Sequence, residues 1–202
     1  MQKGLLEQPE LPIFPAERLV GRMWAAALGR FRDYMQLRKD TDMALDTSEL
    51  SRAYAEFDGV ARGGGFGPPP PGEWDAEHTL AHVASGDASI ASAVLAVVAG
   101  QRPSFDNRVN QDESNLQGVI RQAGGLAGLI DLVRRNGELL CLAAAQLSDE
   151  QLDRRLPVLI VSNDEIVVDE PRPLRGLIET IGQAHLPMHA QQLRDLKLSD
   201  PT

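Results

Sequence analysis

Gln183-Ala184-His185-Leu186-Pro187-Met188-His189-Ala190-Gln191-Gln192-Leu193 sets two histidines four residues apart in a segment of helical pattern. On a helix, positions i and i+4 stand one turn apart on the same face, so the two imidazoles can converge on one point. This is metal-ligand spacing. The chain has four histidines, and the other two, His78 and His82, repeat the spacing in a second segment that reads as helix.

Working outward, the last helix is expected from about Leu174, after Pro171 and Pro173, to Lys197. Pro187 lies inside it, where it removes one backbone bond and tends to kink the axis. Before it, Pro157–Val161 and Glu165–Val168 are β-branched runs that read as a small hairpin, the one strand signal in the chain. Ser148-Asp149-Glu150-Gln151 is a capping signature for a short helix. A long helical pattern covers about Gln111 to Gln146, with Gly124, Gly125 and Gly128 inside it. Each glycine costs up to about 1 kcal/mol of helix propensity relative to Ala, which suggests close helix approach or a kink.

Earlier in the chain, a helix from about Glu73 to Ala99 carries His78 and His82, and the glycine- and proline-rich run 63–72 separates it from a helix opened by Asp46-Thr47-Ser48-Glu49. Another helix is expected from Pro15 to about Arg38, after a polar arm over 1–14. The division is thus an N-terminal arm and helix over 1–45, packed on a helical bundle over 46–202.

At 202 residues the chain fits one sizeable core with an appendage. A net charge of −9, from 20 Lys and Arg against 29 Asp and Glu, argues against nucleic acid or an anionic membrane as partner. A single cysteine, Cys141, precludes an internal disulfide framework and suits the cytoplasm. Its apolar neighbours favour a buried thiol over a nucleophile. The start of the chain lacks a signal-peptide pattern, and no run of about 18 apolar residues is found. The expected partner is a small-molecule substrate.

A catalytic mononuclear metal site needs about three protein ligands and an open position, so the 185/189 pair requires a third ligand from another helix. His82 or His78 could supply it. His82 is favoured by its apolar neighbours, while His78 is left as a supporting group, a fourth ligand or a surface residue. Glu77 and Gln192 are the other candidates for supporting the ligands. Three imidazoles suit zinc first, with nickel, iron or copper also compatible. No glutamate follows His185, so the usual metalloprotease arrangement is absent and no general base is evident. The stretch Asp106–Glu113 reads as a solvated loop and helix cap in preference to the wall of a polar pocket.

Trp74 followed eight positions later by His82 resembles the Trp-x7-His signature of the DinB-like superfamily, and His185-x3-His189-x2-Gln192-Leu193 is similar to its last-helix motif. The resemblance covers roughly residues 48–196. It implies a mainly α fold, a four-helix bundle of up-down-down-up order, with a divalent metal on His82, His185 and His189, and a homodimer. The long central connection of that bundle can carry short strands, which accommodates a small β-hairpin before the last helix, whereas the extra N-terminal helix is one the family pattern does not require. Members with known activity are metal-dependent thiol enzymes, among them mycothiol-dependent maleylpyruvate isomerase and bacillithiol-type S-transferases. The implied function is therefore a thiol-dependent S-transferase or isomerase that uses a low-molecular-weight thiol such as mycothiol. In the mycothiol isomerases an acidic residue commonly stands at the position of His185. A hydrolase using hydroxide from bound water, and a noncatalytic metal-binding bundle, are the competing expectations.

Overall fold

The computed structural model describes residues 45–162 and 164–197. The expected arm and helix of the first 45 residues fall outside this range except for Leu45. Within it the chain is mainly helical, with one small sheet. Helix α1 (Thr47–Arg62) starts where the Asp46 side chain accepts a bond from the Ser48 N–H. Helix α2 (Ala76–Val98) starts later than its apolar pattern suggests, because Asp75 turns its carboxylate back to cap the N–H of His78.

The single long helix expected over 111–146 is two helices, α3 (Glu113–Ala123) and α4 (Leu126–Ala144). Gly124 and Gly125 lie between them at φ 75° and 106°. Side-chain-bearing residues rarely adopt this left-handed region, so the glycine pair ends one helix and starts the next. Close approach also occurs, both at Gly128, where a Cβ would stand 1.9 Å from the Ala123 carbonyl oxygen at the end of α3, and at a glycine the spacing did not single out. A Cβ on Gly137 of α4 would stand 2.7 Å from the Tyr54 ring of α1. Gly137→Ala is therefore expected to lower stability by about 1–3 kcal/mol despite alanine's better helix propensity, as read by urea unfolding.

Helix α5 (Asp149–Leu152) opens with a reciprocal box in which Ser148 Oγ accepts from the Gln151 N–H and Gln151 Oε1 accepts from the Ser148 N–H. The hairpin then forms from β2 (Arg155–Ser162) and β3 (Glu165–Pro173), with a bulge at Ile160/Val161. A third strand, β1 (Phe105–Asp106), pairs in parallel with β2. Two residues are too short to leave an alternating pattern in sequence, so this strand carries no signal of its own.

The last helical rod is interrupted. Helix α6 (Leu174–Thr180) runs into a π-helical turn, Ile181–His185, and continues as α7 (Leu186–Asp195). Here the Leu186 N–H reaches back to the Ile181 carbonyl, a bond one residue longer than in an α-helix. Pro187, which has no N–H to give, follows directly in the first turn of α7, where a missing donor is tolerated. The expected kink thus takes the form of a one-turn widening that ends on His185.

Helix α2 packs against α4, α1 lies against both α4 and α7, and α7 returns to α2. Their shared interior holds Phe57, Leu80, Val94, Leu129, Leu140, Ile178 and Leu193, all buried. By length and composition α2 could cross a membrane, but most of it is buried in this core. It buries His82 and Asp87 along with its apolar residues.

Candidate metal centre

Three histidines meet where α2 passes the junction of the π turn and α7. His82 comes from α2, His185 ends the π turn, and His189 stands one turn further along α7. One ring nitrogen of each lies within 4.8 Å of the others, and His82 Nε2 is 3.1 Å from His185 Nε2. Nitrogen ligands about 2.0–2.1 Å from one ion stand roughly 3.0–3.4 Å apart, depending on coordination number. This separation suits such an ion. His189 is fully buried, His82 nearly so, and His185 is partly exposed.

Two of the rings are oriented from behind. His82 Nδ1 lies 2.8 Å from the backbone carbonyl of Asn110, which can only accept, so this nitrogen carries the proton and Nε2 presents its lone pair. His189 Nδ1 lies 2.9 Å from Gln192 Oε1, which fixes the same tautomer when the amide oxygen accepts. Metal-ligating histidines are commonly held in this way by an acceptor on the far nitrogen. Asn110 is itself clamped, its Oδ1 accepting from both Ser85 Oγ and Ser89 Oγ at 2.9 Å. Both serines lie on the helix that carries His82, so α2 positions the ligand and its brace together. Trp74, just before that helix, packs on the His82 ring with centroids 4.9 Å apart.

Burial holds the three imidazoles in their neutral, ligand-competent form. It lowers His82 to about 4, and burial with the neighbouring His82 lowers His185 to about 3. Burial and both neighbouring histidines push His189 well below its ordinary value. The donor chemistry therefore fits a divalent ion, and His82, His185 and His189 could hold one.

The other two candidates for supporting roles lie elsewhere. His78 bonds through Nδ1 to Asp75 at 2.8 Å and through Nε2 to Glu113 and Gln117. Partial burial would lower its pKa, but the Asp75 and Glu113 carboxylates carry it above the usual imidazole range. It ties the start of α2 to α3. Glu77 faces Gly125 at the break between α3 and α4.

A cavity of about 130 Å³ adjoins His82 and His185. Its walls are mostly apolar and come from α2, the sheet and the last helical rod, including Ile90, Phe105, Ile160, Ile181 and Met188. The polar groups are Asp87, Asn107, Asn110, Gln111, Ser162 and Thr180. Part of the stretch expected to be solvated loop thus forms the wall. Asp112 does cap α3, but Asn107 is drawn inward by a reciprocal pair of bonds to the backbone of Val161, at 2.8 and 3.0 Å, beside the β-bulge. Gln111 bonds to the same carbonyl. Cys141 lies away from this cavity, half-buried, with Ser51 Oγ 3.5 Å from its sulfur, and burial raises its thiol.

Asp87, Ser85 and Ser89 carry no motif and do not stand out in the sequence, and Asn110 lies in the stretch read there as solvated loop. The spacing of Ser85 and Ser89 after His82, at i+3 and i+7, was the one available sign of a polar stripe on the ligand's face of the helix. Comparison of the chain with protein-family models, with curated proteins and with solved structures found no match.

Proposed function

We propose that α1, α2, α4 and the α6–α7 rod form a DinB-like four-helix bundle around a divalent-metal site on His82, His185 and His189, and that the chain is a thiol-dependent S-transferase or isomerase. The observation that supports this reading is the convergence of three neutral imidazoles from two helices beside an apolar cavity. Zinc is the first choice of ion. When bound, it would supply a Lewis acid that favours the thiolate form of a small thiol at neutral pH. The protein's part is to orient the ring nitrogens through the Asn110 carbonyl and the Gln192 amide, and to shield the reacting sulfur from bulk water with the cavity's apolar walls. With one half-buried cysteine outside the cavity, the nucleophilic thiol would come from a second small molecule.

The test is spectroscopic. Cobalt-substituted protein mixed with mycothiol, bacillithiol, glutathione or cysteine is expected to gain a thiolate-to-metal charge-transfer band with at least one of them, and His82→Ala is expected to lose it. A cobalt-loaded protein that shows no band with any of these thiols would overturn the thiol assignment. Ester hydrolysis by that same protein would point to the hydrolase instead.

A further inference from the structure

The polar side chains on the wall of the histidine cavity are engaged within the protein itself. Asn107 uses both ends of its amide on the Val161 backbone, and Gln111 donates to the same carbonyl at 2.8 Å. Thr180 Oγ1 donates to the Gly176 carbonyl one turn back at 2.6 Å, and Asn110 Oδ1 accepts from Ser85 and Ser89. The Asp87 carboxyl is buried and meets the Tyr54 hydroxyl of α1, which lines a separate groove between α1 and α4. Burial pushes that carboxyl up to about 8, so at pH 7 it is mostly uncharged. No described lysine or arginine lines the cavity. What is left to meet a ligand is the apolar surface of Ile90, Phe105, Ile160, Ile181 and Met188, beside the His82 and His185 rings.

We propose that this cavity is a substrate pocket for an uncharged molecule with an apolar body, and that it rejects the same body carrying a carboxylate. An apolar chain gains from leaving water for such a wall. A carboxylate would lose its hydration and find neither a free donor nor a cation among these side chains. Joined to the thiol reading, on which this clause alone rests, the pocket favours an S-transferase acting on an apolar acceptor over an isomerase acting on a dicarboxylate. In that transfer the thiolate sulfur bonds to the acceptor's electrophilic carbon as the bond from that carbon to its leaving group breaks. The leaving group takes the bonding pair, and the thiol proton passes to solvent.

Calorimetric titration of the full chain at pH 7, after EDTA treatment and dialysis, with butan-1-ol, pentan-1-ol, hexan-1-ol and hexanoate tests the pocket. Affinity is expected to rise roughly two- to four-fold with each methylene of the alcohols. Hexanoate is expected to bind about ten-fold or more weakly than hexan-1-ol. Ile160→Phe narrows the cavity from the sheet and Ala184→Phe from the last helical rod, and each is expected to weaken hexan-1-ol binding about ten-fold or more. Hexanoate binding as tightly as hexan-1-ol, affinity independent of chain length, or undiminished hexan-1-ol binding in either variant with a wild-type circular dichroism spectrum overturns the proposal. No probe carries a thiol and the protein carries no metal, so this outcome is separate from that of the cobalt experiment.

Discussion

Acidification of the metal-free protein is expected to unfold it well above the pH at which ordinary carboxylate pairs fail. An imidazole in the unfolded chain binds its proton near pH 6.5, whereas folded His82 does so only near 4, His185 near 3 and His189 lower still. Between pH 6.5 and 4 the unfolded state therefore holds more protons at all three sites. The stability present above pH 6.5 is lost as the pH falls through this window. Asp87 works in the opposite sense. Its folded value near 8 lies above the ordinary carboxylate value of 3.8, so the folded state holds the extra proton there. The net difference is about two protons, which corresponds to roughly 3 kcal/mol lost per pH unit. By pH 4 the loss reaches roughly 7 kcal/mol, enough to unfold a domain whose stability lies in the lower part of the usual range of about 5–15 kcal/mol. Urea midpoints at pH 7, 6 and 5 in EDTA measure the slope. Asp87→Asn is expected to steepen it and His82→Gln to flatten it, while a midpoint independent of pH from 7 to 5 would show that these imidazoles titrate normally.

Zinc is expected to reverse most of this sensitivity, because an ion that binds the folded state alone stabilises it by mass action. At a hundred-fold excess over its dissociation constant the gain is about 2.7 kcal/mol, or roughly 5–10 °C in a chain of this size. The gain falls steeply on acidification, since protons compete for the same lone pairs. Thermal melts with and without zinc check it. His185→Ala and His189→Ala are each expected to lose the shift, but for different reasons in their metal-free forms. His185 is part-exposed and its removal is mild, whereas His189 is fully buried and its removal leaves a cavity in the core and the Gln192 amide without its imidazole.

Local rules made much of the helical framework legible. Asp46 and the Ser148–Gln151 box mark helix starts because capping is decided within four residues, and the β-branched runs around Ser162 form the hairpin for equally local reasons. The break at Gly124 and Gly125 was less legible. The apolar period continues across it, and only the backbone conformation distinguishes a helix with glycines from two helices. The π turn was hidden in the same way, since Pro187 announces a disturbance without its form. In the site, the histidines stood out through spacing on two helices. The Asn110 carbonyl could not stand out, because a backbone atom has no identity in sequence. Asp87 was hidden by its setting, a lone acid in an apolar helix whose meaning depends on the Tyr54 hydroxyl of a neighbouring helix.

Elemental analysis of the purified full chain after equilibration with zinc, beside His82→Ala, His189→Ala and His78→Ala, tests the centre most directly. One zinc per chain is expected in the wild-type protein and in His78→Ala, whose imidazole is engaged with Asp75 and Glu113, and about a tenth of that or less in the other two. Full occupancy in folded His82→Ala and His189→Ala would contradict a metal site built on these histidines.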